Sequence, residues 1–563
     1  MTLISELLLA LLFLPLVTAG IVAMLGKNEA ELVRRISLLS TIVCAVLSFI
    51  VAGAYMGTHT EAATPATFLP EFVPGPSATS PHATRINLLP LGTGSVQFFI
   101  GVDGLNVWLI VLTAVLMVPS VLISWTAVEE RTNEYYAWLL VLQTAMTGIF
   151  LSFDIILFYV FFEMSLVPLF FLIGIWGGPQ RRHAAGKFFI FTLTGSLLTL
   201  LGVIAIVLAC QQQTGELTFS LPRLTQIVHE SLQRTDPATM AHWRTLQTYV
   251  FLALIAGFAV KVPLVPLHTW LPLAHVEAPT AGSVLLAGIL LKVGAYGFLR
   301  ICLPLTPDAC LAIGLPLVSW LSVIGIIYGS LCAFAQEDIK KMVAYSSVAH
   351  LGMCMLGMFA LNEIGLTGSL VQMINHGLST GGLFLLVGML YERYHTRNMS
   401  DYGGMATKLP LLGFFMVFIC LTSVGLPFLN GFIGEALVLF GAFEQQYVTA
   451  NQWPTYAVLA STGMVLGAWY LFTMLQKVFF GTLKEPQLAA GHEHHPIHDL
   501  NSRELWAIVP IAALCVLIGV LPQPLIDTSK PDLKIVAAIM KDARARAEKA
   551  PTVALADRKE QAP

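Results

Sequence analysis

The chain has 563 residues and a net charge of −3, with 56% hydrophobic and only 11% charged side chains. Soluble domains carry about 25% charged residues, so the composition excludes a water-soluble globular protein, and the near-neutral balance gives no footing for nucleic acid. What remains is an all-α polytopic membrane protein.

Apolar windows long enough to cross a bilayer predict about fourteen spans, centred near Leu14, Val46, Leu116, Leu142, Phe162, Leu198, Val260, Leu290, Ser322, Leu351, Phe384, Ile419, Leu466 and Leu514. Leu7 to Leu25 has no basic flank and reads as a retained first helix rather than a signal peptide. The Pro- and Thr-rich link from Gly57 to Phe98 reads as a surface loop, and the polar link from Gln211 to Thr248 as a second one with a short helix.

Span five carries Glu163 near its centre with Pro168 just beyond. A lone carboxylate there would be protonated, whereas beside an ammonium both groups stay charged. Span seven supplies that ammonium: Lys261 is followed at once by Pro263 and Pro266, which remove backbone donors and predict a broken helix. Span eight holds a second lysine, Lys292. A lysine at membrane depth costs at least about 2.5–3.5 kcal/mol on insertion scales, so two of them point to an ion path, with broken helices lining it. Snorkelling to the interface, the bland alternative, fits poorly because apolar sequence extends on both sides of each lysine.

Span ten places Ser346 and His350 on one face, and span eleven sets His376 in a polar stripe with Gln372, Ser379 and Thr380. Span twelve is punctuated as GLPFLNGFIGE, with Glu435 just past the break. A single histidine on an apolar helix is as often an interhelical hydrogen-bond donor as a proton carrier, and His268 and His275 fit helix capping equally well. The conjunction weighs more. Glu163, Lys261, Lys292, His350, His376 and Glu435 fall on six spans, and such groups in one hydrated chain are what proton conduction requires. The loop GHEHHPIHD before span fourteen reads as solvated rather than metal-binding, and the Lys- and Arg-rich tail as a frayed or amphipathic surface helix.

Basic residues concentrate in links after odd-numbered spans (Arg34, Arg35, Arg131, Arg181, Arg182, Lys340, Lys341 among them), while even-numbered links hold Arg85, Arg223, Arg234, Arg244 and Arg300. The asymmetry places the odd links in the cytoplasm and the N-terminus outside. Spans four to eight and nine to thirteen each have a punctuated fourth member, which predicts two inverted five-helix repeats with helices seven and twelve broken. The division is then 1–135 (three helices and the long loop), 136–301 (first repeat), 302–481 (second repeat) and 482–563 (last helix and tail). The eight cysteines form no CxxC pair, and neither GxGxxG nor a Walker loop is present. Redox or nucleotide chemistry is therefore expected in another chain.

The run KVPLVPLHTWLPLAHVEAPTAGSVLLAGILLKVGAYGFLR, with QEDIKKMVAYSSVAHLG and INHGLSTGGLFLLVGMLYER, resembles the antiporter-like proton-pumping subunits of respiratory complex I, a family that also includes Mrp-type cation/proton antiporters. The resemblance covers about Gly101 to Gly481. Glu435 stands where the M-type branch carries glutamate and its sister branches lysine. The resemblance implies that Glu163 tunes Lys261, that Lys292, His350 and His376 form a central relay, and that Glu435 is the terminal proton site. It implies a translocase subunit of NADH:quinone oxidoreductase in a bacterial inner membrane, binding no cofactor itself. FMN, iron–sulfur clusters and quinone would belong to partner subunits, and two sister antiporter-like subunits would be its neighbours in the bilayer. Two departures stand out: Leu273 replaces the aspartate of the usual WLPDAH, and Phe428 replaces the second glycine of the usual GLPG, stiffening that break. The alternatives are an Mrp-type Na⁺/H⁺ antiporter subunit and a membrane scaffold whose polar groups only hold helices together.

Overall fold

The computed structural model describes residues 2–26, 29–58, 68–74, 86–92, 94–233, 237–486 and 497–549. Spans one to four are α1 (Thr2–Met24), α2 (Ala30–Thr58), α3 (Val107–Ala127) and α4 (Thr132–Leu151), with a small hairpin of β1 (Asn87–Leu91) and β2 (Gly94–Gln97) before α3. Span five is α5 (Ile155–Met164) plus α6 (Leu166–Trp176), and span six is α7 (Arg181–Thr214). The surface helix α8 (Leu221–Leu232) follows, then span seven as α9 (Pro237–Lys261) and α10 (Trp270–Glu277). Span eight runs from α11 (Thr280–Leu285) through α12 (Leu291–Gly297) to α13 (Leu303–Leu305), and span nine from α14 (Pro307–Ala309) to α15 (Leu315–Phe334). Spans ten to fourteen are α16 (Ile339–Met358), α17 (Glu363–Tyr394), α18 (Pro410–Val424) with α19 (Asn430–Phe443), α20 (Thr455–Val478) and α21 (Ser502–Val520), followed by α22 (Gln523–Lys549).

Eleven helices among the described residues are long and apolar enough to cross a membrane. α4, α16 and the interrupted pair α18–α19 complete the expected fourteen, and the chain is a multi-pass all-α membrane protein. Most spans are buried on one side and present leucine, valine and aromatic side chains outward, such as Leu201, Trp320, Phe414 and Val465. Spans eight and eleven differ, being enclosed on all sides. A position shielded from hydrocarbon is where polar side chains are tolerated, and these two helices carry Lys292 and His376.

The interruptions follow from local chemistry. Pro168 lacks an N–H and crowds the carbonyl four residues earlier, and the helix is interrupted at Ser165, just past Glu163. In span seven, Leu264 N–H turns to Ala259 rather than Val260, and the freed Val260 carbonyl accepts the Trp270 indole N–H at 3.0 Å. In span twelve, α18 ends on Gly425 at φ 80°, a left-handed conformation glycine adopts without cost. Phe428 takes φ 70° in the same break. A non-glycine residue in that region costs about 1–2 kcal/mol.

Several expectations are corrected. α7 runs to Thr214, α8 covers Leu221–Leu232 and α9 begins at Pro237, so the Gln211–Thr248 link is mostly helix. The Gly57–Phe98 link carries the β1–β2 hairpin. The tail is helical as far as Lys549 and amphipathic: α22 buries Leu525, Asp532, Leu533, Val536 and Met540 on one face, and Arg546 donates to Asp308 at 2.6 Å, so the described part is docked rather than frayed. Arg300 is not a loop residue but lies inside span eight, fully buried. The division at 301/302 falls within that span, which runs to Leu305. The histidine-rich loop lies outside the described residues as far as 496; within the rest, Asp499 accepts from the Leu411 and Leu412 N–H groups that start α18.

Helices α7 and α9 meet through glycine. A Cβ at Gly257 would lie 1.9 Å from Thr199 Oγ1 and 2.5 Å from the Gly195 carbonyl. Gly257→Ala should force the helices apart at an overpacking cost of about 1–3 kcal/mol. The yield of folded protein should fall; an unchanged yield would show that the contact relaxes freely.

Candidate functional site

Two π-type turns, Leu286–Leu290 and Phe298–Cys302, bracket the segment of span eight that carries Lys292. Such turns disturb the regular carbonyl ladder and recur at functional sites. Lys292 Nζ donates to the Ala287 carbonyl at 2.5 Å and lies 2.6 Å from His376 Nδ1 on α17. An ammonium donates to an unprotonated Nδ1, which leaves the neutral imidazole's proton on Nε2; a neutral amine accepts from a protonated one. The contact therefore persists as a proton moves between the two groups.

His376 Nε2 has no hydrogen-bond partner among the described residues. Its ring lies 5.4 Å, centre to centre, from that of His350 on α16. His350 presents Nδ1 to Glu435 Oε1 at 3.3 Å and Nε2 to Ser423 Oγ at 3.4 Å. Gln372 donates to the same Glu435 oxygen at 3.3 Å. A cavity of about 20 Å³ lined by His350, Ser423, Glu435 and Tyr470 adjoins this end, room for about one water molecule.

Four of the six expected residues thus form one run, Lys292–His376–His350–Glu435. The other two form a separate station. Lys261 is buried at the end of α9, its Nζ 4.7 Å from the centre of the Phe162 ring. Glu163 lies within electrostatic reach of it, but the two make no ion pair within 4.0 Å among the described residues. One Glu163 carboxylate oxygen is buried without a hydrogen bond.

Sequence reasoning missed the lock that holds the broken span twelve in place. Asn375 donates to the Asn430 carbonyl at 2.6 Å, and Asn430 donates back to that of Asn375 at 3.3 Å. Both asparagines adjoin motifs already singled out, INHG and LNG. Also missed was Lys340, buried at the start of α16 and donating to the Ala278 carbonyl at 2.6 Å. It lines a cavity of about 620 Å³ with Glu129, Glu130, Glu277, Glu392 and Arg397, open on the face formed by the odd-numbered links. His275, weighed equally as a cap and as a transport residue, is buried with its ring stacked 4.6 Å from that of Phe384.

Residues 152–467 match the family model described as NADH:quinone oxidoreductase/Mrp antiporter, transmembrane. The chain belongs to the NADH:quinone oxidoreductase/Mrp antiporter family. Glu163, Lys261, Lys292, His350, His376 and Glu435 all fall inside the stretch that matches this family. NADH-quinone oxidoreductase subunit M of Rhodobacter capsulatus is 36% identical over 536 residues, 94% of this chain and 96% of that protein. NADH-ubiquinone oxidoreductase chain 4 of Arabidopsis thaliana is 40% identical over 434 residues, 77% and 81% of the two chains. Among solved structures, a chain of respiratory complex I from Thermus thermophilus superposes with a TM-score of 0.76 at 29% identity, covering 95% of this chain and 99% of its own. A chain of the Mrp complex from a Dietzia species reaches a TM-score of 0.77 at 17% identity over 97% and 99%, a likeness of fold alone.

Proposed function

We propose that this chain is a proton-translocating membrane subunit of an NADH:quinone oxidoreductase, passing protons along Lys292, His376, His350 and Glu435 while electron transfer runs in other subunits. The run itself carries the reading: four groups able to exchange protons lie in sequence, Lys292, His376 and Glu435 buried and His350 half-buried, where each would be costly without a role. Glu163 acts on Lys261 through its charge and sets when that ammonium holds or releases a proton. The subunit has no redox site of its own; FMN, iron–sulfur clusters and quinone reside in its partners. Its neighbours are other membrane subunits of the complex, the two sister antiporter-like subunits above all. The skew of basic residues supports odd links in the cytoplasm of a bacterial cell, with the N-terminus on the periplasmic side of the inner membrane. The breaks after Lys261 and before Glu435 support two inverted repeats. The relatives named subunit M favour this reading over a sodium antiporter.

The test is His350→Ala in the assembled complex. NADH-driven proton uptake into vesicles and quinone-reductase turnover should fall together by several-fold, because the mutation removes the bridge between His376 and Glu435. Parental values of both would return His350 to a packing role and favour the scaffold reading.

A further inference from the structure

The relay leaves unused a second set of charges below Lys292. Lys292, Tyr296 and Arg300 recur at one-turn intervals on span eight, all fully buried. The Tyr296 hydroxyl donates to the Phe150 carbonyl at 3.2 Å and accepts from Arg300 Nε at 2.9 Å. Arg300 Nη2 reaches Asp103 Oδ1 at 2.6 Å, with side-chain exposures of 0% and 1%. The guanidinium sits 4.6 Å from the centre of the Phe68 ring, 4.8 Å from that of Phe153 and 5.3 Å from that of Tyr296. Arg300 Nη1 and Asp103 Oδ2 have no hydrogen-bond partner among the described residues. Next to this pair, the Gly104 N–H donates to Asp532 at 2.8 Å, on the helix α22 that lies along the even-link face.

Lys292 itself bonds the other way, to Ala287 and His376, and one turn from it Tyr296, Arg300 and Asp103 make a bonded row toward the even-link face, with a cation in its path that cannot give up its proton. Held against Asp103 in a dry, aromatic setting, it also keeps that carboxylate occupied. Fastening α3 to span eight would need less: replacing a buried ion pair by apolar residues of similar volume is often neutral or stabilising.

We propose that the Arg300–Asp103 pair is a charge lock that closes this row, so that protons reaching Lys292 pass to His376 rather than straight out through the even-link face. Arg300 keeps Asp103 engaged, beside the Leu105 and Asn106 N–H groups that donate to the same oxygen. Without it, Asp103 is a carboxyl with no cation beside it and becomes the carrier between Tyr296 and Asp532. The proposal rests on the translocation reading above.

The whole complex reconstituted in liposomes tests it by two readouts: NADH-driven acidification per quinone reduced, and decay of an imposed pH difference without NADH. Arg300→Gln should lower the first and speed the second several-fold. Arg300→Gln combined with Asp103→Asn should restore both, since the stray carboxyl is gone. Arg300→Lys, which keeps the charge on a group able to deprotonate, should show a smaller leak and serves where the glutamine variant does not assemble. Parental coupling and decay in whichever single variant assembles would make the pair a fastener only. A double variant as leaky as the single would remove Asp103 as the carrier. Either result overturns the lock. Lys292→Met reports on the translocation reading separately: if it pumps like the parent, that reading fails whatever the leak.

Discussion

Glu435→Gln should lose most NADH-driven proton uptake, measured in vesicles and normalised to assembled complex, while Glu435→Asp should retain part of it. Glutamine keeps the size of the side chain and can still offer an oxygen to Gln372 and His350, so packing changes little. What it cannot do is take up and release a proton. Aspartate can, but from a shorter reach across the 3.3 Å contact to His350 Nδ1. Glu435 lies at the end of the buried run, close to the break at Gly425: a Cβ added to Gly425 would lie 2.8 Å from its Oε2. Groups contributing to proton transfer by side-chain acid–base chemistry are typically worth factors of about 10²–10⁴, and loss of the last acceptor would stall the chain behind it. If Glu435→Gln pumps like the parent, the carboxylate is not the terminal site.

Glu163→Gln should be nearly as damaging, by a different route. The carboxylate makes no ion pair with the ammonium of Lys261, so its influence is exerted through space. An amide carries no charge, so Lys261 would lose the field that holds its proton, and the timing of release with it. Proton uptake should fall severely while the complex still assembles, since no hydrogen-bonded ion pair is broken. Glu163→Asp should recover part of the activity because it restores the charge. A glutamine variant that assembles and pumps normally would mean the two residues are not coupled. A variant that fails to assemble would mean the carboxylate is a packing element instead.

Legibility tracked isolation along the chain. Lys261, Lys292 and Glu435 were readable because each is a charge flanked on both sides by apolar sequence, and the breaks beside Lys261 and Glu435 because proline and glycine advertise themselves. The order of the run was not readable: that His376 touches Lys292 and His350 touches Glu435 depends on how α16, α17 and α19 pack, which no local spacing records. Arg300 was misplaced for a related reason. It ends an apolar stretch and resembles a loop cation, and only its partner Asp103, far away in sequence, shows it to be buried. The docking of α22 was likewise hidden, because its stabilising contacts are made with residues distant in the chain, such as Asp532 with Gly104. The reciprocal asparagine pair is legible only once the two motifs are known to meet.

The enclosure of spans eight and eleven bears on how the protein is made. Span eight carries Lys292 and Arg300, each costing about 2.5–3.5 kcal/mol at the centre of a lone helix. Its cover includes α3, already synthesised, but also α17, which emerges only after two further spans have followed it. During that interval the segment holding Lys292 has no His376 to meet its ammonium. The nascent chain must therefore keep span eight in a shielded, partly hydrated setting, beside the insertion machinery or against earlier helices, until α17 arrives. Substitutions in α17 that leave the mature fold intact can then still lower yield by lengthening that wait.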